Sequence, residues 1–268
     1  LSRHPMLRFL GTAHVEFYRN IPLLVLLLAV YLAVTELLPA GRTALHVGDW
    51  VFLSKSGLQY ASPLMCGWAM WIAAGAGAAC GFASAFFARR RMTGLMANTT
   101  GIAVFAGVFI VAWVLCGVVS GWDHPVQTRF ALRGGSQISP EFLALSLGLT
   151  LFTSASIAEI VRAGVLAVKA GQWDAGLALG MTMTETVSYV IFPQSMRLVI
   201  PPLASQYMNL TKNSSLAVMV GYPDLVNIGN TVINVSAQAL EVICIIMAVY
   251  LTLNLVISVV MNALNARI

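Results

Sequence analysis

The chain has 268 residues, of which 59% are hydrophobic and 9% are charged, and its formal net charge is +5. Soluble proteins carry about 25% charged residues, so this composition excludes a water-soluble globular enzyme, a disordered tail, a collagen and a disulfide-rich secreted scaffold. The positive charge does not indicate nucleic-acid binding, because no basic stripe with interleaved aromatic residues occurs. We therefore predict an all-α, polytopic integral membrane protein that binds no nucleic acid.

Apolar runs long enough to cross a bilayer recur along the chain. A transmembrane helix needs about 20 mostly apolar residues, and such runs predict six spans, at 20–38, 64–88, 101–121, 142–164, 198–221 and 240–262. Residues 1–19 form a cytoplasmic lead-in, residues 39–121 hold two of the spans, and residues 122–268 hold the last three. With this orientation nine Lys and Arg residues lie in inside segments and four in outside loops, as the positive-inside rule requires.

Three features of the first half have simple interpretations. The outer loops 39–63 and 122–140 contain Pro, Gly, Trp and Asp, which is typical of irregular surface loops. Gly77 and Gly81 form a small-xxx-small pair, which indicates either a close helix–helix contact or an ordinary lipid-facing helix. The four cysteines lie in apolar stretches without zinc or redox spacing, and the four histidines are scattered, so we predict small core cysteines and no metal site.

The loop 165–196 is long for a connection between two spans, which indicates a role beyond joining them. Residues 172–179, beginning at Gln172, can form two turns of helix, with Asp174 near the N-terminus where the helix dipole favours an anion. Gly180 follows where a C-terminal glycine cap is expected. This pattern predicts a first short helix that ends at Gly180.

A second short helix is predicted directly afterwards. Thr182 and Glu185 have the spacing of a capping box, and Pro193 ends the helix because proline cannot continue it. The result is a helix–turn–helix at the cytoplasmic face, shaped to fit a groove on another protein. An amphipathic helix that rests on the bilayer explains the same pattern.

A polar face is predicted on the fifth span. Lys212 is an ionisable residue at bilayer depth, and such residues usually face a cavity. At 100° per residue its polar neighbours fall within an arc of about 120°. Pro201-Pro202 and the run 213–215 favour a broken helix that exposes backbone groups to a substrate.

Lys212 is a candidate partner for a substrate carboxylate, or else a structural residue that is paired with Glu159 or packed between subunits. Glu159 can also pair with Arg162, three residues further along the same helical face. The candidate substrate path consists of Ser205, Gln206, Asn209, Lys212, Asn213, Ser214 and Glu159.

Residues 158–194 resemble the cytoplasmic coupling loop of bacterial ABC importer permeases. The core of that loop, the EAA motif, has Glu-Ala-Ala, a later Gly and a hydrophobic-Pro ending. In this chain these positions fall on Asp174-Ala175-Gly176, Gly180 and Ile191-Phe192-Pro193. Segments 14–25, 134–164 and 201–225 resemble the polar amino-acid branch, and the two spans within 39–121 resemble the large insert of its general L-amino-acid subgroup.

This resemblance implies the permease subunit of an ATP-driven importer for polar or general L-amino acids in the bacterial inner membrane. The implied partners are a dimer of ATPase subunits that grips the loop, a second permease subunit in a homo- or heterodimer, and a periplasmic amino-acid-binding protein. No G-x-x-x-x-G-K-[ST] motif occurs. We therefore expect no cofactor in this chain, with ATP and Mg²⁺ bound by the partner ATPase.

The chain also departs from the family pattern. Asp174 stands where the family has Glu, and Gly176 stands where it has a small helix former. Glycine inside a helix costs about 1 kcal/mol relative to alanine, so we expect a weaker loop helix. The loop lacks the basic residues often found after Gly180. The chain begins with Leu1 and the resemblance places one or more spans before it, so we expect that N-terminal residues are missing.

Two other functions fit a polytopic membrane protein. An ATP-independent secondary transporter or channel for small polar solutes would show inverted repeats with matching broken helices, and only the span 198–221 is interrupted. An intramembrane enzyme would need a nucleophile and a base, but neither HExxH nor G-x-S-x-G occurs. We predict that the chain is not an enzyme.

Overall fold

The computed structural model describes residues 5–64, 67–88, 94–128 and 132–266, and most of them are helical. The α-helices of this part are α1 (Pro5–Asn20), α2 (Leu23–Leu32), α3 (Gly67–Ala88), α4 (Gly94–Ser120), α5 (Pro140–Leu166), α6 (Ala170–Ala178), α7 (Met183–Glu185), α8 (Phe192–Asn213), α9 (Leu225–Ser236) and α10 (Ala239–Asn265). Wider π-turns follow α2 at Ala33–Leu37 and α7 at Thr186–Ile191, and a 3-10 helix, Ser214–Val220, follows α8.

Several of these helices are long and apolar enough to cross a bilayer. Three helical segments among the described residues meet this requirement separately: Thr100–Ser120 within α4, the whole of α5 and the whole of α10. Two more spans result if each bent helix pair crosses as one, namely Pro5–Asn20 with Leu23–Leu37, bent by 105°, and Met183–Val220 with Leu225–Ser236, bent by 55°. The predicted multi-pass helical architecture is therefore confirmed, whereas the number of six spans stays a prediction.

The chain divides into two units, one formed by Thr35–Ser139 and the other by the residues before and after it. In the unit formed by the residues before and after Thr35–Ser139, the core lies where α2, α5 and the 3-10 helix meet. Leu27, Leu145 and Ala217 are buried there. A Cβ atom at Gly148 of α5 would lie 2.7 Å from Cδ2 of Leu27, so a larger residue at this position would require the buried Leu27 side chain to move.

The unit Thr35–Ser139 contains strands, so the all-α prediction is wrong for this part of the chain. The strands are β1 (Leu45–Val47), β2 (Val51–Ser54), β3 (Gly57–Tyr60), β4 (Ser62–Pro63), β5 (Trp122–Asp123), β6 (Val126–Gln127), β7 (Leu132–Arg133) and β8 (Ser136–Ile138). Four of them form an antiparallel sheet in the order β1-β2-β3-β8. Strands of two to four residues are too short to show a clear alternating pattern, which is why both outer loops were predicted to be irregular.

The α3–α4 pair confirms the close-contact interpretation of the small-xxx-small pair. Gly77 and Gly81 are both buried. A Cβ atom at Gly81 would lie 2.7 Å from the carbonyl oxygen of Gly101 on α4, and one at Gly77 would lie 3.3 Å from the ring of Phe105. The two glycines therefore let the backbones of α3 and α4 approach each other.

Cys80 and Cys244 are not the small core residues that their apolar surroundings predicted. Cys80 and Cys244 are free thiols with exposed side chains on α3 and α10, where a weakly polar thiol can face an apolar environment. Cys116 on α4 is disulfide-bonded. Cys66 lies outside the described residues.

The candidate coupling loop and the polar face of α8

The first loop helix ends as its sequence predicts. Gly180 has a φ of +78°, in the left-handed region that favours glycine. The N–H of Met181 donates to the carbonyl of Gly176 at 3.2 Å, and the N–H of Gly180 donates to the carbonyl of Leu177 at 3.0 Å. These two bonds form a Schellman motif, which satisfies the last carbonyls of α6.

The beginning of α6 differs from the prediction. The helix begins at Ala170 rather than at Gln172, so its first turn contains no acidic residue. Asp174 therefore lies in the second turn and does not face the free N–H groups of the helix start. The prediction was wrong because Lys169, which precedes the helix, carries no side-chain cap that the sequence would reveal.

The capping box at Thr182 and Glu185 is confirmed. The backbone N–H and the hydroxyl of Thr182 donate to Oε2 of Glu185 at 2.8 and 2.7 Å, and the N–H of Glu185 donates to the Thr182 hydroxyl at 3.3 Å. Two hydrogen bonds hold the pKa of the Glu185 carboxyl below its ordinary value. The one from the Thr182 side chain has the larger effect, and the one from the Thr182 backbone has the smaller effect. The box fixes where the chain turns from α6 into the next helix.

Replacing Thr182 by alanine is expected to loosen the start of this helix. Loss of an N-cap hydroxyl costs about 1 kcal/mol, so amide hydrogen exchange over residues 182–190 should speed up. Because the ionised Glu185 makes the bonds, the stabilisation is present above its ordinary pKa and is lost as the pH falls through its lowered pKa. The matched control is Thr184→Ala, an exposed neighbour outside the box. Equal exchange rates in the two variants would contradict this role.

Pro193 does not end the second helix, which corrects the prediction. Met183–Val220 forms one continuous helical stretch, and Pro193 lies in the first turn of α8. The preceding turns are π-helical, so the N–H of Phe192 donates to the carbonyl of Val187, five residues back. A proline ring clashes with the carbonyl four residues before it in an ordinary helix, and the wider π-turns relieve this clash. The loop therefore continues directly into the helix that carries the polar face.

Two contacts attach α6 to this stretch. Gly176 and Thr186 are both buried, and a Cβ atom at Gly176 would lie 2.5 Å from Cγ2 and 2.8 Å from Oγ1 of Thr186. The side-chain amide of Gln194 donates to Oε1 of Gln172 at 2.9 Å. Gly176 therefore provides space for Thr186, in addition to weakening the helix. Sequence reasoning missed Thr186 and Gln194, since nothing in their local sequence reveals partners ten and twenty-two residues away.

The rest of the loop presents an apolar surface. The exposed large apolar side chains here are Leu177, Leu179, Met183, Val187 and Tyr189. Leu179 is 81% exposed, directly before the Gly180 turn. The loop thus has a fixed backbone and an uncovered apolar surface, which is the arrangement of a helix that docks in a groove.

The predicted polar residues lie where α8 ends. Ser205, Asn209 and Lys212 are exposed, and Gln206, Asn213 and Ser214 are partly exposed. Pro201 and Pro202 lie inside α8 and do not break it. The helix changes type at Ser214, where the 3-10 segment begins.

Lys212 and Glu159 do not pair with each other. Nε of Arg162 donates to Oε2 of Glu159 at 2.9 Å, and Arg19 of α1 lies 4.0 Å from the same carboxylate. Among the described residues no carboxylate lies within ion-pair distance of Lys212. The predicted Glu159–Arg162 pair is confirmed, and the alternative in which Glu159 holds Lys212 is wrong.

No group of three or more His, Cys, Asp and Glu side chains within the described ranges has a geometry that could hold a metal ion.

Comparison with known proteins places the chain among transport permeases. The family described as "Binding-protein-dependent transport system inner membrane component" matches residues 1–268. The general L-amino acid transport system permease protein AapQ of Rhizobium johnstonii is 40% identical, over 100% of this chain and 68% of that protein. The putative amino-acid ABC transporter permease protein YhdX of Escherichia coli is 42% identical, over 100% of this chain and 70% of that protein.

Another relative has a narrower stated substrate range. The glutamate/glutamine/aspartate/asparagine transport system permease protein BztB of Rhodobacter capsulatus is 35% identical, over 100% of this chain and 71% of that protein. The crystal structure of an amino acid ABC transporter with histidines matches at 25% identity and a TM-score of 0.44, over 75% of this chain and 89% of that chain.

Proposed function

This chain belongs to the family of binding-protein-dependent transport system inner membrane components, among the amino-acid ABC transporter permeases, and we propose that it is the permease subunit of an ATP-driven importer for polar or general L-amino acids. The observation that carries this proposal is the loop 165–196. Its short helix is fixed by the Schellman motif, the capping box and the Gly176–Thr186 contact, and its apolar side chains have no cover among the described residues.

In this proposal the loop binds the partner ATPase. ATP and Mg²⁺ are bound by that ATPase, because this chain has no P-loop. Closure of the ATPase dimer moves α6, and α6 is attached to the stretch Met183–Val220 through Thr186 and Gln194. The same stretch carries the polar face at its other end. Nucleotide binding can therefore shift this helix from one position to another. The size of the shift is limited by the difference between the nucleotide's affinities for the two states.

The polar face of α8 lines the substrate path in this proposal. Its exposed side chains include Lys212, whose cation has no carboxylate partner among the described residues. An unpaired cation and neighbouring amides suit the α-carboxylate and polar groups of an amino acid. A second permease subunit completes the path, and a periplasmic binding protein delivers the amino acid.

The test is reconstitution of the full-length permease in liposomes with the ATPase and the binding protein encoded beside it. We expect amino acids to stimulate ATP hydrolysis and to accumulate only when the ATPase is present. The variant Gly180→Val, in which a β-branched residue must adopt a φ of +78°, should fail to co-purify with the ATPase. Gly171→Ala, with open space around its Cβ position, is the control. Uptake without the ATPase would replace this proposal with a secondary transporter or channel.

Replacing Lys212 by glutamine is expected to lower amino-acid uptake roughly tenfold, because hydrogen bonds to charged groups contribute about 1.5–3 kcal/mol. Uptake would be measured against amino-acid concentration in the same liposomes, and co-purification with the ATPase should not change. Lys55→Gln is the matched control, because Lys55 forms an exposed ion pair with Glu36 at 3.6 Å and such pairs contribute little. Unchanged uptake by the Lys212 variant would mean that the residue does not meet substrate.

A further inference from the structure

An aromatic cluster within the unit Thr35–Ser139 has no role in the proposed transport cycle. Its members are Trp50, Tyr60, Trp113, Trp122 and His124. The ring centroids of Trp50 and Trp122 are 4.9 Å apart, those of Trp50 and His124 are 5.1 Å apart, and both pairs have edge-to-face geometry. These residues come from α4, from strands β3 and β5, from the turn after β1 and from the connection between β5 and β6. The cluster thus joins the small strands to a transmembrane helix.

Trp122 fixes the cluster to the end of α4. Its indole ring lies against Gly117, where a Cβ atom would overlap the ring. The ring centroid of Trp122 is 6.4 Å from that of Trp113, which lies on α4 itself. The N–H of Leu64 donates to the carbonyl of Gly121 at 3.1 Å, and β4 pairs with β5. The short strands therefore begin directly at the last turn of the helix.

The position of the cluster along α4 corresponds to the edge of a bilayer. Thr100–Ser120 is apolar enough to cross a membrane, and Trp113 lies about 10 Å before its end at a rise of about 1.5 Å per residue. The distribution of Lys and Arg puts this end outside. The disulfide at Cys116 agrees with this orientation, because disulfides persist in oxidising compartments.

We infer that this aromatic cluster is a lipid-binding anchor, which holds the small strands of the insert at the outer membrane–water interface. Indole rings prefer the headgroup level, since their apolar body and their N–H group suit opposite sides of that boundary. Close to the cluster, Val118 and Val119 at the end of α4 are 71% and 87% exposed, and Trp50 of the cluster is 50% exposed. Exposed aliphatic side chains beside exposed indole at the end of a spanning helix favour lipid over a docked protein. The inference depends on membrane insertion and is independent of the proposed transport function.

The test uses the full-length protein with 5-fluorotryptophan in place of tryptophan, in liposomes, with the ¹⁹F resonances of Trp50, Trp113 and Trp122 assigned by single Trp→Phe variants. We expect the Trp50, Trp113 and Trp122 resonances to lose intensity with nitroxide lipids labelled at the headgroup. Lipids labelled at the end of the acyl chain should cause less loss.

Three outcomes would overturn the inference. The first is no loss with either lipid, and the second is a stronger loss with the chain-end label, which would place the cluster in the hydrocarbon core. The third is recovery of the three signals when the periplasmic binding protein is added, which would make the cluster a protein-docking site.

Discussion

A Gly176→Ala variant is expected to lose most of its amino-acid-stimulated ATP hydrolysis, although alanine is the better helix former by about 1 kcal/mol. The added methyl group would lie 2.5 Å from Cγ2 of Thr186, and the Thr186 side chain is fully buried. Overpacking of this kind costs about 1–3 kcal/mol, which outweighs the gain in helix propensity and displaces α6 from the Met183–Val220 stretch. The hydrolysis rate and the amount of co-purified ATPase would be measured together.

Two variants make this result specific. Gly171→Ala lies in the same helix with no atom within 4 Å of its Cβ position, so it should keep full activity. In the double variant Gly176→Ala with Thr186→Ala, the nearest remaining Thr186 atom is Cβ at 3.1 Å, so part of the activity should return. If Gly176→Ala and Gly171→Ala behave alike, the Gly176–Thr186 contact does not position the loop helix.

Gly164→Ala should destabilise the packing of α5 against α8. A Cβ atom at Gly164 would overlap Cγ2 of Val199 and would lie 3.4 Å from the carbonyl oxygen of Ser195. Val199 is fully buried, and its β-branched side chain has few alternative rotamers. We expect a loss of about 1–3 kcal/mol in the free energy of unfolding, measured as a lower thermal unfolding temperature of the purified protein in lipid nanodiscs.

A second substitution tests whether the effect comes from this contact. Val199→Ala removes Cγ2, so the double variant should be less destabilised than the sum of the two single variants, as expected for residues in direct contact. Gly75→Ala, on α3 with open space around its Cβ position, should leave the unfolding temperature unchanged or slightly higher. Additive losses in the double variant would show that the two helices do not pack through this pair.

The features that the sequence determined by itself are those set within one turn or one apolar run. Composition and run length predicted a multi-pass helical membrane protein, which the helices confirm. Gly180 and the Thr182–Glu185 pair predicted the helix end and the capping box at the observed positions. A glycine cap and a capping box are local, because their hydrogen bonds join residues three to five positions apart.

The features that only the tertiary structure decided depend on partners that are distant along the chain. Strands β3 and β8 pair residues 58–60 with residues 136–138, and Glu159 binds Arg19 as well as its near neighbour Arg162. Gly176 was predicted only to weaken its helix, and its contact with Thr186 shows that it also provides space. In each case the chain satisfies a packing or hydrogen-bonding requirement that arises only once separate segments meet, and no local pattern encodes such a meeting.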